Sequence, residues 1–183
     1  MDAITLLKER RSVRKYKDQV VDRSLMKEIV DLARWAPSWA NVQIARYTMI
    51  DSPETIKAIA QDGVHQFSYN MKTLAHAKGV CVLSYVKGKS GKLSTPKGEF
   101  KDSGEMIWEI FDAGIACQTF CLAAHAKGIG TCVFGVIDNN AIEKIVALPE
   151  GERVAAVIVY GYEEGEHAAP TPRMEADKIL RFI

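Results

Sequence analysis

The chain reads as a sandwich of helices and strands, α+β or α/β, on three observations. Four short apolar runs, at residues 44–50, 80–85, 131–134 and 154–160, carry the β-branched and aromatic residues of half-buried or buried strands. Helical periodicity fills most of the sequence between them. The length, 183 residues, is enough for one domain with a core of its own, and the whole of residues 1–183 is expected to form it.

Taken in order, Asp2 can cap a short helix whose Ile4, Leu6 and Leu7 are expected to pack inward and which runs out near Arg10. Residues 23–35 form an amphipathic helix with Leu25, Ile29, Leu32 and Ala36 at helical spacing, stopped by Pro37. After the strand at 44–50, Ser52-Pro53-Glu54 supplies a cap, a proline at the first helical position and an acid in the first turn, for a helix ending near Asp62-Gly63. The run at 80–85 suits a buried strand. Residues 87–103, rich in Gly, Ser, Lys and Pro, read as a long mobile loop.

The longest helix is expected over residues 103–127, closed by Gly128. Its apolar residues, among them Met106, Ile107, Ile110, Phe111, Ile115, Phe120 and Leu122, go most of the way round, as in a helix buried mid-domain or at a subunit interface. A strand at 131–134, a helix from Asp138 or Asn139, the strand at 154–160 and a turn-rich tail with a last short element at 174–183 complete the reading.

Composition excludes several classes. Apolar residues at 48% and charged residues at 26% belong to an ordinary globular protein. With 24 basic against 23 acidic side chains, no global field favours nucleic acid or an anionic membrane. Cys81, Cys117, Cys121 and Cys132 lie in apolar segments without metal-ligand spacing and read as reduced core residues, so no metal is expected. No apolar run reaches spanning length and the N-terminus lacks a secretory h-region, which gives a cytoplasmic expectation.

The chemistry-bearing residues are concentrated. Arg10-Arg11-Ser12-Val13-Arg14 puts three guanidinium groups and a hydroxyl just past a helical turn, a set suited to a phosphate and a polyhydroxyl chain. Pro37-Ser38-Trp39-Ala40-Asn41-Val42-Gln43 follows a helix with a turn and offers amides that donate and accept, which suits a heterocycle with mixed edges. Pro172-Arg173 adds one more cation near the other end.

These stretches, with residues 112–118 (Asp-Ala-Gly-Ile-Ala-Cys-Gln) and 128–135 (Gly-Ile-Gly-Thr-Cys-Val-Phe-Gly), resemble in order and spacing the successive motifs of the FMN-dependent nitroreductase family. The resemblance spans nearly the whole chain. It implies an α+β fold, a three-layer sandwich with a mostly antiparallel central sheet and a long buried helix. It also implies a homodimer with FMN at the interface and ping-pong electron transfer from NADH or NADPH to a nitroaromatic, a quinone or a related small electrophile.

By the same resemblance the phosphate falls to Arg10 and Arg173, with Arg11 beside them, the ribityl chain to Ser12 and the pyrimidine edge to Arg14 and Asn70. Pro37, Ser38, Trp39 and Asn41 reach the flavin from the second subunit, and the backbone of Gly135, next to Val136, lies near the flavin N5. No side chain is assigned a catalytic step, because the flavin carries the chemistry.

Plainer readings stand beside these. The 112–118 stretch reads as helix packing, the histidines show no partner pattern, and Trp39, Phe67, Tyr69 and Trp108 suit a core as well as a channel. Where many members of the family continue Asn-x-Gln with Pro-Trp, this chain has Ile44-Ala45-Arg46. A specialised flavin reaction such as reductive dehalogenation, on the same fold, is the alternative enzyme reading. A polyanion-binding arm of Lys8, Arg10, Arg11, Arg14, Lys15 and Lys17 is the alternative from another class.

Overall fold

The computed structural model describes residues 2–95, 98–101 and 108–183. Six helices, α1 (Ala3–Glu9), α2 (Arg23–Ala33), α3 (Pro53–Asp62), α4 (Ser68–Ala75), α5 (Trp108–Ala126) and α6 (Asn139–Ile145), alternate with strands β1 (Ala45–Ile50), β2 (Gly79–Val86), β3 (Lys92–Thr95), β4 (Gly98–Lys101), β5 (Gly130–Phe134) and β6 (Glu152–Gly161). The main sheet has the order β1-β2-β6-β5 and every neighbouring pair is antiparallel, which settles the class as α+β.

Strand alternation builds the three layers. Val80, Val82, Val157 and Val159 face one side, where Ile56, Ile59, Leu74 and Ile142 of α3, α4 and α6 cover them. Cys81, Leu83, Ile158 and Tyr160 face the other, against Met26, Ile29 and Ala33 of α2 and Phe120, Cys121 and Ala124 of α5. Covered on both faces, β2 and β6 appear in the sequence as unbroken apolar runs. All four cysteines are free; Cys81, Cys121 and Cys132 are buried and Cys117 is half-buried.

The helix signals work as physical chemistry expects. The Asp2 carboxylate accepts the N–H groups of Ile4 and Thr5 at 2.9 and 3.1 Å, and the Ser52 and Asp138 side chains accept those of Thr55 and Ala141. Gly128 follows α5 at φ 76°, the left-handed conformation that glycine adopts without cost.

Three expectations change, and one helix is not anticipated. Ile4 and Leu7 of α1 do not pack inward; they are 65% and 63% exposed, because α1 lies against α5 with its apolar stripe turned outward. In α2 the buried stripe is Met26, Ile29 and Ala33, one position round from the expected one, and Leu32 is exposed. Residues 87–103 are not one loop: β3 and β4 pair from Lys92↔Lys101 to Thr95↔Gly98 as a separate ribbon. A ribbon that joins no larger sheet needs no apolar face, so its composition is that of a loop. Helix α4 was unreadable, since Phe67 at its N-cap offers no capping side chain and two of its buried residues, Asn70 and Thr73, are polar.

Helix α5, expected mid-domain or at a subunit interface, buries Phe120, Cys121 and Ala124 on one flank and leaves Ile110 and Phe111 48% and 51% exposed on the other. Its expected start at Ser103, with Met106 and Ile107, lies outside the described residues. The last element at 174–183 is a single 3-10 turn, Ala176–Lys178, in an exposed tail.

Candidate functional site

Residues 10–17 leave α1 as an extended arm laid along the edge of the sheet. Ser12 bridges Thr131 of β5 in parallel, the Val13 N–H donates to the Thr131 carbonyl at 2.9 Å, and Tyr16 bridges Glu163 beyond the end of β6. Val13 and Tyr16 are buried, which turns Ser12 and Arg14 outward. The Tyr16 hydroxyl donates to the Val13 carbonyl at 2.6 Å, with the Val159 carbonyl at 3.3 Å. Burial pushes this phenol well above its ordinary pKa and keeps it a donor.

Two glycines let the arm come this close. A Cβ on Gly130 would sit 2.7–3.0 Å from the Val13 side chain, and one on Gly161 would sit 2.9 Å from the Tyr16 ring.

The three arginines of the arm are not equivalent. Arg10, half-buried, lies within electrostatic reach of Cys117 and Cys121 on α5 and Cys132 on β5. Arg11 is committed to backbone carbonyls: Nη1 donates to Lys8 and Arg10 at 2.6 and 2.9 Å, and Nε to Ala168 at 3.2 Å. Arg14 is exposed and donates to the Ser12 carbonyl at 3.1 Å.

Beyond β5 the chain exposes Gly135 and Val136, and nothing lies within 4 Å of where a Cβ on Gly135 would stand. Asn70, buried on α4, donates its amide to the Val136 carbonyl at 3.1 Å. Asn70 of α4 is thus joined to the chain leaving β5, and the arm that carries Ser12 and Arg14 is bonded to Thr131 of the same strand.

The Pro37-Ser38-Trp39-Asn41 turn belongs elsewhere in this chain. Its Pro37 and Ser38 line a cavity of about 290 Å³ with Gln43, Tyr47, Asp112 and Ala116, between α2, β1 and α5. None of the described hydrogen bonds joins the turn to the arm. Ala40, Asn41 and Gln43 adopt φ of 44°, 56° and 50°, a conformation that non-glycine residues take only under local compulsion. Within the turn Asn41 N–H donates to the Ser38 carbonyl and Val42 N–H to the Trp39 carbonyl, both at 3.0 Å, and Gln43 N–H to Ser38 Oγ at 2.9 Å; Trp39 N–H ties the turn to Asp112 Oδ1 at 3.0 Å.

Arg173 is exposed on the tail, and its described bonds go only to Thr171 and Pro172 beside it. The tail is nevertheless tied to the arm upstream of it. His167 Nδ1 meets the Glu163 carboxylate and Nε2 meets the Glu9 carbonyl, both at 2.7 Å. Both partners are acceptors, so both bonds are made only by the imidazolium form, which the C-terminus of α1 also favours.

The bond from Glu163, then that from Glu9, raises the His167 pKa; burial, then the neighbouring His167 charge, lowers that of His125, which stacks on it at 5.8 Å. Because the His167 pKa is raised by folding, its stabilisation is complete below the unfolded value near 6.5 and is lost as pH rises through the folded value. His125 acts oppositely, disfavouring the folded state as pH falls, and Arg10 and Arg11 are the cations nearest the pair. Amide exchange at residues 163–168 is expected to quicken with pH across the His167 titration followed by NMR, and to lose that step in His167→Gln.

Sequence reading missed Asp112, Ser90, Tyr16 and His167. Only Asp112 left a signal, a carboxylate between Phe111 and Ala113 in an otherwise apolar stretch. Among the described residues no group of His, Cys, Asp and Glu is arranged to hold a metal, and no helix is long and apolar enough to cross a membrane.

Comparison with known proteins identifies the family and the fold. The sequence model of the Nitroreductase family matches residues 7–162. A provisionally named NADH dehydrogenase/NAD(P)H nitroreductase of Methanothermobacter thermautotrophicus is 29% identical, over 98% of this chain and 86% of its own length. An FMN-dependent nitroreductase structure from Clostridium difficile R20291 is 25% identical with TM-score 0.76, covering 98% of each chain. A nitroreductase family protein from Streptococcus pneumoniae TIGR4 shares the fold at TM-score 0.82 and 17% identity, over 99% of this chain and 100% of its own. With the arm, the turn and the β5 exit all inside or at the border of the matched span, the chain belongs to the nitroreductase family of oxidoreductases.

Proposed function

We propose that this protein uses FMN to carry electrons from NADH or NADPH, by a ping-pong sequence, to a nitroaromatic, a quinone or a related small electrophile. The observation that carries the reading is that β5 is dressed at both ends by the motif residues: the arm with Arg10, Ser12 and Arg14 is bonded to Thr131, and Asn70 is bonded to the Val136 carbonyl, with open space over Gly135. This donor set fits the cofactor: guanidinium groups for a phosphate, a hydroxyl for the ribityl chain, an amide for the pyrimidine edge and a bare backbone for a flat ring.

FMN when bound supplies the hydride chemistry, and the chain supplies grip, orientation and charge. Arg10 holds the phosphate, with Arg11 bracing the arm and its Nη2 beside the same anion. Ser12 takes the ribityl chain. Arg14 sets positive charge at the pyrimidine edge, where reduction places negative charge, and Asn70 adds its free carbonyl oxygen as an acceptor. The Gly135 N–H is the donor at the ring edge, with Val136 packed behind it.

Arg173 joins Arg10 at the phosphate, and Pro37, Ser38, Trp39 and Asn41 complete the site from a second copy. The apolar residues that one chain leaves in water support this homodimer: Ile4 and Leu7 of α1, Ile110 and Phe111 of α5, and Leu180 and Phe182 of the tail. Arg173 lies five residues beyond Ala168, where Arg11 anchors the tail to the arm, and that exposed stretch can reach ~17 Å when extended. The four free thiols suit a reducing cytoplasm, and the whole chain works as one unit.

The test is the visible spectrum of the purified protein reconstituted with FMN, before and after anaerobic NADH and then NADPH. A bound-flavin spectrum that bleaches with either donor, and recovers with a nitroaromatic or quinone, is expected. A protein that takes up no FMN overturns the reading.

A further inference from the structure

We propose that Asp112 is the positioning residue that holds the Pro37–Asn41 turn in its flavin-contacting shape and ties it, through Ser90, to the segment after β2. The inference rests on the flavin reading above for what the turn touches, and on this chain's own contacts for what holds it.

The Asp112 carboxylate is 2% exposed, in the middle of α5. Each oxygen is engaged by a different part of the chain: Oδ1 accepts the Trp39 N–H at 3.0 Å and Oδ2 accepts the Ser90 hydroxyl at 2.7 Å, with Ser90 itself 4% exposed. A carboxylate is buried at considerable cost and is retained only where its bonds are made. Here the two bonds reach across 73 and 22 residues of sequence, and neither belongs to helix α5. One of them fixes the entrance of a turn whose next residues, Ala40 and Asn41, adopt a left-handed conformation that they would leave if released.

The other end of the same carboxylate holds the Ser90 loop, which Glu109, one turn earlier on α5, also grips at the Gly88 N–H. Asp112 thus makes the turn and the loop move together. The turn carries Ser38, Trp39 and Asn41; the loop leads into the β3–β4 ribbon, so a change in that ribbon is passed to the turn through one side chain.

Asparagine at this position keeps an oxygen for the Trp39 N–H and turns its amide toward the Ser90 oxygen, which can accept; alanine leaves the Trp39 N–H unpartnered. The experiment compares wild type, Asp112→Asn, Asp112→Ala and Ser90→Ala by amide exchange at Trp39 in the apoprotein and by FMN titration. Expected are exchange at Trp39 at least ~10-fold faster and FMN binding ~10–100-fold weaker in Asp112→Ala, with Asp112→Asn within ~3-fold of wild type in both.

Ser90→Ala keeps Trp39 protected and alters FMN binding by less than ~10-fold. Protection of Trp39 retained in Asp112→Ala, or FMN bound as tightly as by wild type once that protection is lost, overturns the proposal. So does an Asn variant no better than the Ala variant; if Asp112→Ala does not fold, loss of Trp39 protection in Asp112→Asn does the same. Wild type that binds no FMN refutes the flavin reading instead, and Trp39 exchange in the four proteins still decides what holds the turn.

Discussion

Replacing Arg10 and Arg173 together by alanine is expected to weaken FMN binding on the order of a thousandfold, while each single change costs ~10–100-fold. Hydrogen bonds between guanidinium groups and a dianionic phosphate are among the strongest that a surface site can make. The two arginines start from different places. Arg10 is half-buried on an arm fixed by the Val13–Thr131 bond and the Tyr16 hydroxyl, so its grip is present before the ligand arrives. Arg173 lies on an exposed tail, bonded only to Thr171 and Pro172 beside it, and must be ordered over the site.

Arg173→Ala is therefore expected to cost less than Arg10→Ala, since the ordering of the tail is a penalty only the native residue incurs. Quenching of flavin fluorescence on titration into apoprotein reads both constants. A double variant that binds FMN as wild type does would remove the phosphate from these residues.

The sequence made the main sheet legible and hid how its edge is dressed. β1, β2, β5 and β6 are visible because a strand covered on both faces must be apolar throughout, as in Val80-Cys81-Val82-Leu83 and Val157-Ile158-Val159-Tyr160. The arm is different: what fixes it are bonds from Val13 to Thr131, Tyr16 to Glu163 and His167 to Glu9, and a hydrogen bond between distant residues leaves no local pattern. The same holds for Asp112, whose neighbours in sequence say helix packing while its oxygens serve Trp39 and Ser90.

Where periodicity gave the right face but the wrong depth, as with Ile4 and Leu7, the pattern records that a stripe is covered and is silent on whether its own chain covers it. The motif residues themselves were legible only as a set. In the fold, Asn70 is bonded to the Val136 carbonyl and the arm to β5, while the Pro37–Asn41 turn is tied to α5 and Arg173 only to its own tail.

Two glycines at either end of β5 separate the geometry of the arm from contact with the flavin. On Gly130 a methyl group would lie 2.7, 2.8 and 3.0 Å from Cγ2, Cβ and Cγ1 of Val13, and because all three sides of that β-branched group are close, no rotamer relieves it. The arm must lift. Gly130→Ala is expected to cost ~1–3 kcal/mol, a fall in Tm of roughly 2–10 °C, and to weaken FMN binding by at least ~10-fold as Ser12 and Arg14 are re-aimed. Adding Val13→Ala removes two of the three close contacts and is expected to restore part of the affinity.

Gly135→Ala meets open space at an exposed position without a left-handed φ, so Tm is expected to stay within ~1 °C. FMN affinity should fall all the same, because the new methyl group occupies the place assigned to the ring edge. Calorimetry and FMN titration on the four proteins decide both points. If Gly130→Ala binds FMN normally, the arm does not aim the cofactor's ligands; if Gly135→Ala does, the flavin ring lies somewhere other than over the exit of β5.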